Sequence, residues 1–190
     1  MEWNWIEFFA VVFGLIPIYL NVREIVWGWP TSIIGSILLG LIAYQAQLYA
    51  SVGLNVVYVI MGFYGWYQWL YGGKNQSKLQ VTRTGTSLLF LLIVLGIIGT
   101  AGIGYFFQRT TDADIPYWDA FGTAFSLVGT YMLAKKKHEN WLLWIVVDAI
   151  FVGIYFTKEL YLLALLYFLY LGLATYGYYQ WRQSLAIAHD

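Results

Sequence analysis

Seven apolar runs, each long enough to cross a lipid bilayer, alternate along the chain with short polar segments. About 20 mostly apolar residues in a helix span the roughly 30 Å hydrocarbon core of a membrane. The runs cover approximately residues 5–22, 30–49, 52–71, 86–107, 117–134, 140–157 and 160–181. This pattern predicts an all-α integral membrane protein with seven transmembrane helices, folded as a single membrane domain over residues 1–190.

The composition agrees with lipid as the main solvent. The chain is 61% hydrophobic and only 11% charged, whereas soluble domains carry about 25% charged residues. The net charge is zero, so no basic surface points to nucleic acid. Cysteine is absent, and the two histidines are His138 in a loop and His189 at the C-terminus. We therefore expect no thiol chemistry, metal site or bound cofactor.

The distribution of Lys and Arg predicts the orientation, because cytoplasmic loops carry an excess of these residues. With the N-terminus outside, only Arg109 and Lys158 of the ten lie on the outer side. The other eight lie on the inner side: Arg23, Lys74, Lys78, Arg83, Lys135, Lys136, Lys137 and Arg182. The predicted orientation is N-out and C-in.

Two parts of the chain are similar at an offset of 112 residues. Gly65-Trp66-Tyr67-Gln68-Trp69 matches Gly177-Tyr178-Tyr179-Gln180-Trp181, and 16 of the 64 positions from Ile6 to Trp69 are identical without a gap. Shared composition explains scattered Leu and Tyr matches but not the five-residue block. We predict a 3+1+3 arrangement of parallel repeats, with repeat one at about 5–71, a linking helix at about 86–107 and repeat two at about 117–181. In transporters with such repeats, the substrate site lies near mid-membrane between them.

Asp148 is the polar residue that most needs an explanation, because it lies halfway along predicted helix 6. A carboxylate at mid-membrane costs about 2.5–3.5 kcal/mol on insertion scales and usually faces a bundle interior or a cavity. Helical spacing places it on one stripe with four aromatic residues: Trp141, Trp144, Phe151 and Tyr155. Such a stripe suits a flat cationic ring. The alternative is a structural Asp that accepts a hydrogen bond from a neighbouring helix.

Polar groups on the facing sides of helices 3 and 7 complete the predicted site. They are Asn55, Tyr58, Tyr167 and Tyr170. Either contact with a ligand or hydrogen bonding between helices accounts for each of them. Gln68 and Gln180 lie near the inner ends, where their position fits a solvated or gating role and a binding role equally well. Glu7 and Asp119 lie near the outer surface and are not assigned to the site.

Three motifs show a resemblance to a known family. They are Trp27-Gly28-Trp29-Pro30, the Gly65 to Trp69 block, and Glu139-Asn140-Trp141-Leu142-Leu143-Trp144-Ile145-Val146-Val147-Asp148 with its Trp-x-x-Trp spacing. With these motifs the chain resembles the PnuC family of bacterial vitamin transporters over about residues 7–182. The resemblance implies facilitated, uncoupled import of a vitamin across the bacterial inner membrane, with trapping by a cytosolic kinase. It also implies that Trp141 and Trp144 stack on the vitamin ring beside Asp148.

Nicotinamide riboside is the predicted solute because it is the best-known cargo of that family. Thiamine has a flat cationic ring as well, so the residues favour both, and related transporters take riboflavin-type vitamins. A retinal photoreceptor would need a Lys in helix 7, and no Lys follows Lys158. An intramembrane enzyme would need a nucleophile or a carboxylate dyad, and Asp119 and Asp148 are predicted at different depths. The expected partners are the vitamin and the bilayer, with a homo-oligomer left open.

Overall fold

The computed structural model describes residues 5–45, 47, 49–111 and 114–187, with side chains for these except residues 5–11, 49, 50, 186 and 187. Within this part, the chain forms seven α-helices. They are α1 (Trp5–Val22), α2 (Gly28–Gln45), α3 (Tyr49–Tyr71), α4 (Thr86–Thr110), α5 (Pro116–Ala134), α6 (Asn140–Thr157) and α7 (Tyr161–Ile187). A single 3-10 turn covers Lys74–Gln76. The seven predicted helices are therefore confirmed as helices. The side chain of Glu7 and all of His189 lie outside the described residues.

The ends of two helices differ from the prediction for identifiable reasons. Helix α2 begins at Gly28 rather than residue 30, because Pro30 falls in the first turn, where a missing backbone N–H costs nothing. Helix α7 continues to Ile187 rather than ending near residue 181. Its extension is held by Leu185, which is buried, and by Ser184, whose hydroxyl donates to Glu24 Oε1 at 2.5 Å.

Six helices close a ring. Neighbours pack in the order α1, α2, α3, α5, α6 and α7, and α7 returns to contact α1. Helix α4 packs against α5. A Cβ atom at Gly96 of α4 would lie 2.7 Å from the Phe125 ring of α5, so the glycine allows this close approach. The ring leaves a central space to which helices from both parts of the chain contribute.

The turns between helices recur at the offset of 112 residues. Glu24 after α1 and Lys136 after α5 both take the left-handed conformation, with φ of 55° and 46°. Gln47 after α2 and Glu159 after α6 do the same, each with φ of 59°. The α1–α7 and α3–α5 packings also correspond at this offset. A duplicated unit of three helices would produce this recurrence. The 3+1+3 repeat and the N-out/C-in orientation stay predictions.

Four buried tryptophans, here called the tryptophan layer, fill the end of the ring where α1 and α5 finish. They are Trp29, Trp69, Trp141 and Trp181. A Cβ atom at Gly65 would lie 2.3 Å from the Trp29 ring, and one at Gly177 would lie 2.5 Å from the Trp141 ring. Each of these glycines therefore makes room for an indole ring, which explains why the Gly-x-x-x-Trp spacing occurs in both halves.

The connection between α3 and α4 is held against the turn between α5 and α6. The Thr82 amide donates to Lys136 O at 3.0 Å, and the His138 amide donates to Thr82 O at 3.0 Å. The amide and hydroxyl of Thr84 both donate to Glu139 Oε2 at 2.7 Å. Burial raises the pKa of the Glu139 carboxyl, but these hydrogen bonds from Thr84 outweigh it, so its pKa lies below the usual range.

The outer surface of the bundle is apolar. Leu162 is 84% exposed and Phe90 is 70% exposed, and many other large apolar side chains point outward. A continuous surface of this kind would aggregate in water but suits lipid. By length and hydropathy, three helices of the described part are long and apolar enough to cross a membrane: Thr86–Thr110, Asn140–Thr157 and Tyr161–Leu185.

Candidate functional site

A cavity of about 560 Å³ occupies the centre of the helix ring. Its size falls within the range of small-molecule sites. Helices α1, α2, α3, α5, α6 and α7 all contribute to its lining, and α4 does not among the described residues. The cavity therefore lies between the two parts of the chain that are similar in sequence.

Asp148 contributes a buried carboxylate to this cavity. The residue is 4% exposed and lines the cavity from the middle of α6. It forms no hydrogen bond or ion pair with any residue that the structure describes. Tyr167 and Tyr170 of α7 line the same cavity. A buried carboxylate without a partner is costly, and a cationic ligand in the cavity would compensate that cost.

The aromatic stripe predicted on α6 faces the cavity. All five of its members line the space: Trp141, Trp144, Asp148, Phe151 and Tyr155. The two tryptophans differ in their surroundings, since Trp141 is 2% exposed and belongs to the tryptophan layer. Trp144 is only partly buried and packs over Gly129 of α5. Of the two, Trp144 therefore has the freer ring surface for a ligand.

Four aromatic rings form a connected wall beside Asp148. They are Phe151 and Tyr155 of α6 with Tyr167 and Tyr170 of α7. The Tyr167 centroid lies 5.2 Å from those of Phe151 and Tyr155, and 5.6 Å from that of Tyr170. The wall offers ring faces together with three phenolic hydroxyls, so it can stack on a flat group and hydrogen-bond to polar substituents.

The cavity includes six of the seven predicted binding residues. They are Trp141, Trp144, Asp148, Tyr58, Tyr167 and Tyr170. Asn55 is outside the lining, and its Nδ2 donates to Ser51 O at 2.9 Å within α3. Gln68 and Gln180, the predicted gating residues, are also outside the lining. Gln180 donates to the Tyr176 hydroxyl at 3.0 Å, and Arg23 donates to the same hydroxyl at 3.3 Å.

Several polar lining residues were not assigned to the site from the sequence. They are Asn21, Asp119, Thr123 and Ser126. Asp119 was placed near the outer surface, but it lines the same cavity as Asp148. A sequence signal for it existed, because acidic Glu7 occupies the equivalent position in the other half. No comparable signal marked Asn21, whose equivalent is the apolar Leu133.

The two ends of the cavity differ. Asp119 is exposed while it lines the cavity, so this end, here called the open end, is accessible. The opposite end, here called the closed end, is bounded by Leu133, Ala174 and Trp141 next to the tryptophan layer. Beyond that layer, Lys136 forms an ion pair with Glu24 at 2.7 Å and lies 4.6 Å from the centroid of the Trp69 ring.

The cavity combines aromatic walls with negative charge. Asp119 and Asp148 contribute carboxylates, and neither Lys nor Arg occurs among the described lining residues. A flat cation with hydroxyl groups would satisfy the carboxylates, the ring faces and the tyrosine hydroxyls together.

Comparison with known proteins gives matches over nearly the whole chain. The model of the family described as nicotinamide mononucleotide transporter matches residues 4–183. The nicotinamide riboside transporter PnuC of Escherichia coli is 26% identical, covering 98% of this chain and 91% of its own length. The riboflavin/roseoflavin transporter RibM of Streptomyces davaonensis is 27% identical, covering 93% of this chain and 84% of its own.

The fold also matches a solved structure. The crystal structure of the vitamin B3 transporter PnuC superimposes with a TM-score of 0.74 at 21% sequence identity. The match covers 96% of this chain and 82% of that chain. The seven-helix architecture is therefore one that a vitamin transporter is known to adopt.

Proposed function

Because this chain belongs to the nicotinamide mononucleotide transporter family, as its motifs predicted, we propose that it imports nicotinamide riboside by facilitated diffusion. The curated relatives include the nicotinamide riboside transporter PnuC of Escherichia coli. The observation that carries the proposal is Asp148, a buried carboxylate that lines the cavity and has no partner among the residues that the structure describes. The positively charged pyridinium ring of nicotinamide riboside is a natural partner for it.

The cavity complements the solute along its length. The pyridinium ring lies against Trp144 and close to Asp148, where stacking, cation–π attraction and charge neutralisation act together. The ribose hydroxyls then reach phenolic groups such as those of Tyr155 and Tyr167. A cationic solute also fits a lining that has two carboxylates and, among the described residues, no basic side chain.

Thiamine is the second candidate. Its thiazolium ring is flat and cationic, so Asp148 and Trp144 suit it as well. Riboflavin, carried by the relative RibM, is neutral and larger. It would leave the carboxylate of Asp148 buried without a counter-charge, and the cavity therefore supports it less well than either cation.

The transport step follows from the two-part architecture. Helices 1–3 and 5–7 act as parallel repeats that rock about the central cavity, exposing it first on one side and then on the other. The open end at Asp119 and the closed end at the tryptophan layer correspond to one of these two states. With the N-terminus outside, the cavity is open to the outer side, where the solute enters.

We further propose where the protein is located and what drives import. Family membership makes the chain a multi-pass membrane protein, and we place it in the bacterial inner membrane with eight of its ten Lys and Arg residues inside. Movement is uncoupled and follows the solute gradient. Phosphorylation of the solute in the cytosol keeps that gradient favourable, so the transporter needs no ion of its own.

Parallel titration tests the proposed solute. Detergent-purified protein is titrated calorimetrically with nicotinamide riboside, thiamine and riboflavin under identical conditions. We expect nicotinamide riboside to bind most tightly and riboflavin most weakly. Tighter binding of thiamine would transfer the function to the second candidate, and tightest binding of riboflavin would contradict the role given to Asp148. Uptake of the bound vitamin into proteoliposomes without an ion gradient tests whether transport is uncoupled.

A further inference from the structure

Asn21 has a buried side-chain amide for which the described residues supply no hydrogen-bond partner. It lies in the last turn of α1, is 5% exposed and lines the cavity. Its Oδ1 accepts no hydrogen bond from the described part of the chain and packs against Gly28, where an added Cβ atom would lie 2.2 Å away. Its Nδ2 donates to no residue that the structure describes. Unpaired amides in protein interiors are unfavourable and therefore uncommon.

The fold itself does not require an amide at this position. The residue 112 positions later, at the end of α5, is Leu133, which also lines the cavity. A leucine therefore occupies the equivalent position in the other half of the molecule. Asn140 differs from Asn21 at Nδ2: its Oδ1 is likewise unpaired among the described residues, but its Nδ2 donates to Lys137 O at 2.6 Å in the turn before α6. Asn140 has a structural role, and Asn21 has none that the described residues supply.

The position of Asn21 in the cavity is well fixed. Its backbone oxygen accepts a hydrogen bond from Trp181 Nε1 at 3.2 Å. The Trp181 ring packs edge-on against Trp141, with centroids 5.4 Å apart. Asn21 and Trp141 both line the cavity, so the unpaired amide lies at the closed end beside the tryptophan layer. A solute that enters from the open end reaches Asn21 last.

We propose that Asn21 is a specificity-determining residue that hydrogen-bonds the planar carboxamide of the solute at the closed end of the cavity. Because Oδ1 packs against Gly28, the group that Asn21 offers to the solute is its Nδ2, which donates to the carboxamide oxygen. This inference rests on the proposed function, since it assigns the carboxamide of nicotinamide riboside to a residue. It orients the solute with the carboxamide at the closed end, the ring at Asp148 and the ribose toward Asp119.

The orientation explains how one cavity distinguishes among flat cations. Asp148 recognises the positive charge of the ring, which many flat cations share. Asn21 recognises the carboxamide, which only some of them carry. A site built to hydrogen-bond a polar group rejects the analogue that lacks it, because its own polar group then stays unpaired. The solute is therefore selected by two residues on different helices: Asp148 of α6 for its charge and Asn21 of α1 for its carboxamide.

The test compares two ligands on three proteins. The ligands are nicotinamide riboside and N-ribosylpyridinium, which has the same charge and ribose but no carboxamide. The proteins are the wild type, Asn21→Leu and the control Asn140→Gly. Each substitution introduces the residue that stands 112 positions away in the other half, which is Leu133 for Asn21 and Gly28 for Asn140. Binding to detergent-purified protein is measured by calorimetry, and folding is checked by the thermal midpoint.

We expect the wild type to prefer nicotinamide riboside by about tenfold, the effect of a hydrogen bond to a desolvated group. Asn21→Leu should bind N-ribosylpyridinium as the wild type does and lose the preference, while Asn140→Gly should keep it. An Asn21→Leu protein that keeps the full preference would overturn this inference and leave the proposed function standing. Equal binding of both ligands by the wild type would overturn it without any variant. Failure of the wild type to bind either ligand would overturn the proposed function as well.

Discussion

Trp69 and Trp181 lie with ring centroids 6.0 Å apart, and each donates an indole hydrogen bond to the other half of the chain. Trp69 Nε1 donates to Leu133 O at 3.0 Å, and Trp181 Nε1 donates to Asn21 O at 3.2 Å. Donors and acceptors are both related by the offset of 112 residues. At the closed end of the cavity, each half of the chain therefore donates an equivalent indole hydrogen bond to the other half, and the two bonds together hold the halves in contact.

Removing one of these bonds should loosen the closed end. Trp181→Phe keeps a ring but loses the N–H, which costs about 0.5–1.5 kcal/mol. The chain contains no cysteine, so a single Ala174→Cys substitution at the closed end reports on access. We expect an impermeant thiol reagent, applied on the C-terminal side of the membrane, to label this cysteine roughly two- to tenfold faster in the Trp181→Phe background.

The matched control is Trp66→Phe on α3, because Trp66 forms no hydrogen bond with a residue that the structure describes. Its labelling rate should equal that of the parent Ala174→Cys protein. If the cysteine in the Trp181→Phe background were also labelled at the parent rate, the indole hydrogen bonds would not limit access to the closed end.

The ion pair between Glu24 and Lys136 joins the two halves just beyond the tryptophan layer. The Lys136 side chain is only 8% exposed, so Glu24→Gln leaves a largely buried ammonium group without its counter-charge. We expect a loss of about 2 kcal/mol in the free energy of unfolding, measured by denaturation in detergent. The exchange Glu24→Lys with Lys136→Glu should recover most of this loss. No recovery would mean that the surroundings of the two residues, rather than their pairing, set the cost.

Gly177 should tolerate no side chain, because an added Cβ atom would lie 2.5 Å from the Trp141 ring. We expect Gly177→Ala to destabilise the protein by about 1–3 kcal/mol through overpacking. Gly172 is on the same helix with nothing within 4 Å of its added Cβ, so Gly172→Ala should be neutral or slightly stabilising. Thermal unfolding of both variants decides the point. Equal midpoints would show that the tryptophan layer can adjust to a methyl group.

Most of the architecture could be predicted from the sequence because a membrane imposes simple rules. Helix lengths follow from bilayer thickness, and all seven predicted helices are present in the structure. The stripe from Trp141 to Tyr155 could also be predicted, because helical spacing alone puts its members on one face. Its direction followed from Asp148, since a carboxylate in a membrane-spanning helix faces the interior.

Side-chain direction on α3 and the depth of the cavity could not be predicted in the same way. Asn55 shares a helical face with Tyr58, but it bonds Ser51 O within its own helix. Asp119 lies near a helix end, which suggested the outer surface, yet the cavity reaches it. Asn21 was not singled out from the sequence, because a polar residue near the end of an apolar run carries no signal of its own. That the described residues leave its amide without a partner is a property of the packed ring, which no local pattern encodes.

Glu139 should make the stability of the protein depend on acid pH. Its carboxylate accepts two hydrogen bonds from Thr84, and its pKa lies below the usual range. A group with a lowered pKa stabilises the fold above its unfolded pKa, here about 4.5, and loses that effect as the pH falls through the folded value. Glu139→Gln should therefore lower the thermal midpoint at pH 7 by about 2–4 °C. The difference between variant and wild type should shrink below about pH 4.5, and a constant difference would contradict the assignment.

The central claim is that Asp148 is the counter-charge for a cationic solute, and calorimetric titration of Asp148→Asn with nicotinamide riboside tests it most directly. The substitution keeps the shape and removes an unpaired buried charge, so the protein should be at least as stable as the wild type. Affinity should fall at least tenfold, since a contact with a charged group contributes about 1.5–3 kcal/mol. The control Asp114→Asn changes a carboxylate paired with Lys158 outside the cavity and should bind as the wild type does. Unchanged affinity in a folded Asp148→Asn protein would contradict the account.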